Sequence, residues 1–529
     1  MSSESTSVHL ERVLDDVAPD VVGAPALEAM REVLALCERA GDALDHGARD
    51  AAAAVLASTP VEELVRVVEL VTARFHLMNL GEQLHIARVN REREVAATSE
   101  TPRAESIAEA VVQAARSGVS AGEFAAALGR VEVGPTLTAH PTEARRRTVI
   151  TKQLEIAGLA RRAREPGLTA RERAEVEEQL RASVALLLMS DGVRARRLSV
   201  ADEVRNGLFF LKRSIWETVP RLAEDVRAAT RAVYGEAGPE REGALVGYRT
   251  WIGGDRDGNP EVTAGATAAA LAQMREAGAE LWDRELAGLE QDLSLSTRRV
   301  AVAPELLEAV ERDRAGWLAD GAIAEQRGAE PWRMRVLQMR ARVRGDAFYG
   351  SRELVADLEL LRRSLAATGS AALRSFRPLE DALVRARVFG LHLATLDVRQ
   401  HSEVHEKAVA ELLALAGVTE RYASLKEEER LEILRRELGT RRPLVAPDAS
   451  LSAGTAEVLR TLEVVREAVS REASSVKSYV ISMTHGVSDV LEVLLLMKER
   501  GLCGGPGASD RSARTLQVVP LLETIDDLE

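Results

Sequence analysis

A histidine held beside a proline and followed by arginines is the first group in this chain whose types and spacing suit chemistry. It lies in Leu137-Thr-Ala-His140-Pro-Thr-Glu143, with Arg145, Arg146 and Arg147 next. Proline is excluded from helix interiors, so His140 sits in a constrained turn just past an apolar, strand-like run. Arg146 and Arg147 fall where a helix begins, and their forked guanidinium groups suit a phosphate or other oxyanion. A lone histidine is more often structural; the strand end, the proline and the arginine cluster favour a functional reading here.

A second group is Trp251-Ile-Gly253-Gly254-Asp255-Arg256-Asp257-Gly258-Asn259-Pro260, with three glycines, two acids and an arginine in ten residues. Glycine lets backbone N–H groups approach an anion, while Asp255 and Arg256 can order one another or hold a ligand. A charged Asx-type turn is the bland alternative. Neither an EF-hand nor a Walker loop fits: the twelfth position is alanine, and no GK[ST] ending follows. Further on, Leu396-Asp397-Val398-Arg399-Gln400 puts an acid and an arginine on one strand face. Either Arg399 faces an anion, or it forms an internal ion pair with Asp397. His401 and His405 have i,i+4 spacing, but the intervening Glu403 is central and does not match the zinc-protease motifs. Glu523, in Pro520-Leu-Leu-Glu523-Thr-Ile-Asp526-Asp527, offers a hard oxygen suited to Mg²⁺ or Mn²⁺. Asp526 and Asp527 read as an acidic helix start.

Five short β-like segments must position these groups: residues 131–138, 248–252, 391–398, 479–483 and 516–522. Each runs directly into polar residues, among them His140, Asp255, Arg399, Thr484-His485 and Glu523. Helical patterns separate them, and active sites of βα barrels gather at the carboxyl ends of such strands. The last unit reads as strand 479–483, helix about 489–500 closed by Gly501, and strand 516–522, hence a parallel βαβ unit. Residues 11–117 read as helices, and the domain division expected is a helical region at 1–125 and a helix-elaborated barrel at 126–529.

Composition bounds the rest. The chain has 529 residues with 70 Lys plus Arg against 83 Asp plus Glu, a net charge of −13 that disfavours a nucleic-acid coat. An apolar fraction of 46% with 29% charged residues excludes global disorder. No apolar run approaches the roughly 18 residues a membrane span needs. The amino terminus lacks a signal-peptide pattern, and Cys37 and Cys503 have no CxxC partner, so a cytoplasmic location is expected. With only 3% aromatics, the core is expected to be built from Leu, Val and Ala.

Taken in order, these motifs resemble phosphoenolpyruvate carboxylase of the bacterial and plant type. The resemblance rests on Leu137–Glu143 with Arg146-Arg147-Thr148, on Gly253–Pro260, on Leu396–Gln400 with His405, on Tyr479–Met483 with Ser488-Asp489-Val490-Leu491, and on Val519–Leu528. It implies condensation of phosphoenolpyruvate with bicarbonate to oxaloacetate and phosphate, an anaplerotic carbon fixation, with Mg²⁺ or Mn²⁺. It also implies a mainly α fold with an embedded β/α (TIM-like) barrel, about five of whose eight strands are present. By the same resemblance His140 is the catalytic histidine, and Arg399 and Arg256 bind substrate phosphate. Asp255, Arg146 and Arg147 support the site, Glu523 binds metal, and the full-length enzyme is a homotetramer.

Two departures accompany the match. Around Leu188-Met-Ser-Asp191-Gly-Val-Arg194 a tryptophan and an acid expected from the family are missing, although Asp191 and Arg194 remain. The sequence also stops at Glu529, before the family's second metal carboxylate, its catalytic lysine, its Gly-Arg-Gly-Gly-Ser loop and its allosteric region. Expectations are therefore a carboxylase whose sequence is incomplete, half of a split carboxylase, or a non-catalytic remnant or binding module. A phosphohistidine phosphotransferase would also suit a loop histidine among arginines.

Overall fold

A computed structural model describes residues 5–43, 45–138, 146–192, 198–235, 245–317, 328–446, 448–502 and 516–528. His140, Arg145, Arg194 and Cys503 lie outside these residues. Most described residues are helical, and the strands form one five-stranded parallel sheet in the order β1-β2-β3-β4-β5. The strands are β1 (Thr136–Leu137), β2 (Arg249–Thr250), β3 (Thr395–His401), β4 (Val476–Ser482) and β5 (Gln517–Pro520). None of the described helices is long and apolar enough to cross a membrane.

The chain divides into two compact units. One comprises Met1–Glu109 with His140–Arg197. Its helices bury Leu10, Leu14, Met30, Leu70, Leu77, Ile156 and Leu180 in a common core. In the long helix Val61–Ala96 the buried stripe is Val67, Leu70, Ala73, Leu77 and Gly81, a 3-3-4-4 spacing that keeps one face inward. Val68, which shares the apolar pattern, is instead exposed. Gly81 permits a close helix crossing, because a Cβ there would meet the Ser7 backbone and hydroxyl at 2.5–2.7 Å. The helix Ala170–Leu188 begins with a capping box in which Thr169 and Glu172 satisfy one another's backbone N–H groups.

The other unit comprises Ala110–Ala139 with Leu198–Glu529 and contains the sheet. All five strand segments read from the sequence are present, with shifted ends. β3 begins at Thr395 and runs on through Arg399 and Gln400 to His401, while 391–394 form a turn with Leu393 at φ 61°. β4 and β5 pair in parallel and are joined through the helix Val487–Glu499, after which Gly501 takes φ 71°. That left-handed residue after the helix is the cap its glycine predicted. The core around the sheet is rich in Leu, Val and Ala, yet its largest buried side chains are aromatic. Trp216 packs edge-on to Trp282 at 5.3 Å and stacks on Phe389 at 5.1 Å, so these three rings bury their area against one another.

Candidate active site

The carboxyl end of β3 is the centre of the arrangement. After β2 the chain enters the glycine-rich loop, which continues the ladder on β3. Arg399 donates its N–H to Gly254 O at 2.9 Å, and Arg256 donates its N–H to Arg399 O at 2.9 Å. This close approach explains the paired glycines. A Cβ on Gly254 would lie 2.3 Å from the Asp397 carbonyl oxygen, and Gly253, at φ 85°, would meet the Ala270 methyl at 2.5 Å.

The pairing brings Asp255 opposite Arg399. Arg399 Nε and Nη2 donate to Asp255 Oδ1 and Oδ2 at 2.7 and 2.9 Å, a bidentate fork. Asp257 lies 3.7 Å from Nη2 and donates its own N–H to Asp255 Oδ1. The guanidinium also lies 4.8 Å from the centre of the Trp251 ring. Burial works against the Arg399 charge, but Asp255, Asp257 and Glu523 outweigh it and raise its pKa above the ordinary value. The alternative ion pair between Asp397 and Arg399 is not formed. Asp397 is buried, and its pKa is raised by that burial against the opposing influence of Arg249, Ser478 and Trp251.

Arg256 turns the other way. Its Nη1 donates to Gly254 O at 3.0 Å and its Nη2 to Thr267 Oγ1 at 2.6 Å, while Thr267 Oγ1 donates to Gly253 O. Burial lowers its pKa, with Tyr479, Glu457 and Asp255 opposing. The side chain staples its own loop to the start of the helix Ala264–Asp292.

Glu523 follows β5, and its Oε2 accepts the N–H of Met483 at 2.8 Å. Met483 itself has φ 52° at the end of β4, a left-handed conformation costly for a residue with a Cβ, and its carbonyl accepts Ser402 Oγ at 2.6 Å. Loops after β3, β4 and β5 are thus tied together at one rim. Among the described residues no three His, Cys, Asp or Glu side chains gather as a metal-binding group. Glu523 is exposed and its Oε1 accepts no hydrogen bond among the described residues, which suits it to be one oxygen donor to a hard cation.

His401 and His405 have other tasks. His401 Nδ1 caps the helix Ser402–Leu415 by accepting the Glu403 N–H. His405 is fully buried with Nε2 2.9 Å from the Tyr479 hydroxyl, and burial, with His401 adding, pushes its pKa down to about 3.

In the first compact unit, Arg146 occupies the position just before the helix Arg147–Arg162, and its Nη1 donates to Asp191 Oδ2 at 2.9 Å rather than to the helix end. The structure therefore brings together Asp255, Arg399 and Glu523 at the rim and sets Arg256 behind them. Reasoning from sequence missed the Trp251 platform, although its place directly before the two glycines was a usable signal. It also missed Met483, whose backbone angle no local pattern announces.

A model of the family described as phosphoenolpyruvate carboxylase matches residues 4–529. The chain is 40% identical over 536 residues to the phosphoenolpyruvate carboxylase of Rhodothermus marinus, and 35% identical over 544 residues to that of Roseiflexus castenholzii. Both alignments cover 98% of this chain and 57% of the relative. A third relative, the phosphoenolpyruvate carboxylase of Mycobacterium avium, is 36% identical over 90% of this chain and 51% of its own length. The chain thus spans about half to three-fifths of the length of these relatives. With the family's match running through the glycine-rich loop, β3 and the Glu523 segment alike, the chain belongs to the phosphoenolpyruvate carboxylase family.

Proposed function

We propose that the chain forms the phosphoenolpyruvate-handling part of a carboxylase that converts phosphoenolpyruvate and bicarbonate to oxaloacetate and phosphate. The observation that carries this reading is Arg399, a cation fixed by two bonds to Asp255 at the carboxyl end of a parallel strand, with Glu523 on the same rim. A guanidinium already oriented loses little freedom on meeting an anion, and it stabilises charge that builds on a transferring phosphoryl group. The barrel belongs to the same proposal. Its support is the strand order, in which each strand pairs in parallel with the next in sequence. A doubly wound sheet would reverse direction at a switch point.

In this mechanism Arg399 binds and orients the phosphoryl group, held by Asp255 and stacked on Trp251. His140 manages the proton when carboxyphosphate breaks down to CO₂ beside the enolate. Arg256 keeps the glycine-rich loop closed against β3. Glu523 would hold Mg²⁺ or Mn²⁺, which when bound supplies charge stabilisation at the enolate oxygen. Cytoplasmic location and a homotetrameric assembly complete the reading.

The test is oxaloacetate formation by the polypeptide as its source cells make it, coupled to NADH oxidation by malate dehydrogenase. Activity should require phosphoenolpyruvate, bicarbonate and a divalent cation, and His140→Asn and Arg399→Lys should each abolish most of it. No oxaloacetate from the folded wild type under these conditions would reject the carboxylase reading.

A further inference from the structure

Beyond Glu523 the rim holds an imidazole that none of the roles above uses. After Met483 the chain passes through Thr484, His485 and Gly486 before the helix Val487–Glu499. Its backbone is fixed at several points. Thr484 donates its N–H to Leu521 O at 3.2 Å, and His485 donates its N–H to Asp489 Oδ2 at 2.8 Å. The ring is fixed as well, because His485 Nδ1 lies 2.7 Å from Asp527 Oδ1.

Asp527 does two things at once. Its Oδ2 accepts the N–H groups of Glu523 and Thr524 at 3.2 and 2.9 Å, while Oδ1 faces the imidazole. An acceptor opposite Nδ1 places the proton on that nitrogen and selects the tautomer. The Asp527 side chain is 4% exposed and that of His485 60% exposed. Nε2, which makes no hydrogen bond among the described residues, is therefore the nitrogen on offer. An exposed histidine without purpose would not need a shielded carboxylate to fix its ring. The same carboxylate fixes the backbone of Glu523, which couples the imidazole to the rim of Arg399 and Glu523.

We propose that His485 is a further substrate-binding residue of this rim, presenting Nε2 to an oxygen of an anionic substrate, with Asp527 as its positioning residue. The anionic oxygen is a carboxylate or phosphoryl oxygen, borne by phosphoenolpyruvate or by bicarbonate. This assignment rests on the carboxylase reading.

The full-length protein is used in two measurements. In the first, ¹⁵N NMR of histidine-labelled protein, with the His485 signal identified by its loss in His485→Asn, should show Nδ1 protonated. An unprotonated Nδ1 would overturn the dyad whatever the kinetics. In the second, His485→Asn, which keeps only the nitrogen facing Asp527, should raise KM for one substrate about tenfold or more, the effect of losing one hydrogen bond to a charged group. His485→Gln, whose amide nitrogen reaches the place of Nε2, should restore part of that loss, and neither change should move the melting temperature of this exposed site. KM raised for phosphoenolpyruvate alone, or for bicarbonate alone, names the anion contacted. Unchanged KM for both in an active enzyme overturns the role of His485 and leaves the carboxylase reading standing. An inactive wild type removes that reading and this assignment with it.

Discussion

Arg399 and Asp255 lie 144 residues apart in sequence and meet through two parallel hydrogen bonds of 2.7 and 2.9 Å at the carboxyl ends of neighbouring strands. Both side chains are less than one-third exposed, at 20% and 27%. The pair is therefore shielded enough to matter for stability and open enough to meet a ligand.

Removing its acid tests both. Asp255→Ala should lower the stability to urea by about 1–3 kcal/mol, the range for a hydrogen-bonded charge left without its partner. It should also weaken phosphoenolpyruvate binding measured by calorimetry on the full-length protein. Asp257→Asn, changing a group 3.7 Å from the guanidinium, should have a smaller effect on both.

The two glycine classes in the loop make a sharp contrast. Gly254→Ala forces a Cβ to within 2.3 Å of a backbone oxygen on β3. Overpacking against backbone should cost more than about 2 kcal/mol, or leave the chain insoluble. Gly258→Ala, at φ 69° with nothing within 4 Å, should cost only about 1 kcal/mol for its left-handed backbone. Urea midpoints of the two variants decide this, and equal losses would contradict the close approach.

A buried acid supplies a pH signature. Burial raises the pKa of Glu492 to about 8, against the hydrogen bond from Tyr422, with Asp489 and Glu406 raising it further and Arg430 lowering it. The folded state thus holds a proton that the unfolded chain releases near 4.5. That contribution to stability is complete below pH 4.5 and is lost as pH rises through 8. Urea midpoints between pH 5 and 9 should fall more steeply with pH in the wild type than in Glu492→Gln.

His405 titrates in the opposite sense. Its folded pKa of about 3 lies below the ordinary 6.5, so its contribution is present above 6.5 and lost as pH falls towards 3. Tyr479→Phe, which leaves the buried Nε2 without its partner, should cost about 1–3 kcal/mol at neutral pH by urea denaturation.

For the proposed cation, Glu523→Gln should raise the Mg²⁺ or Mn²⁺ concentration needed for half-maximal oxaloacetate formation by the full-length protein. It should leave the melting temperature without metal close to that of wild type, because an amide oxygen can still accept the Met483 N–H. An unchanged metal requirement would remove Glu523 from the coordination sphere.

Local pattern was enough to locate all five strands, because runs of branched apolar residues ending in polar ones are a short-range signal. It was also enough to place Asp255, Arg399 and Glu523 at strand ends, and the ordered motifs carried the family. It did not reach the partners of those groups. Arg399 had an acid two residues away on its own strand and uses one from the loop after the neighbouring strand, because pairing β2 with β3 carries the glycine-rich loop up against it. Arg256, adjacent in sequence to Asp255, points into the protein towards Thr267, and His401 and His405, spaced like metal ligands, separate into a helix cap and a core contact. Sequence spacing fixes which face of an element a side chain occupies. Which atom it meets depends on strand order, on a glycine thin enough to let backbones touch, and on the left-handed turn at Met483, and those exist only once distant segments have packed.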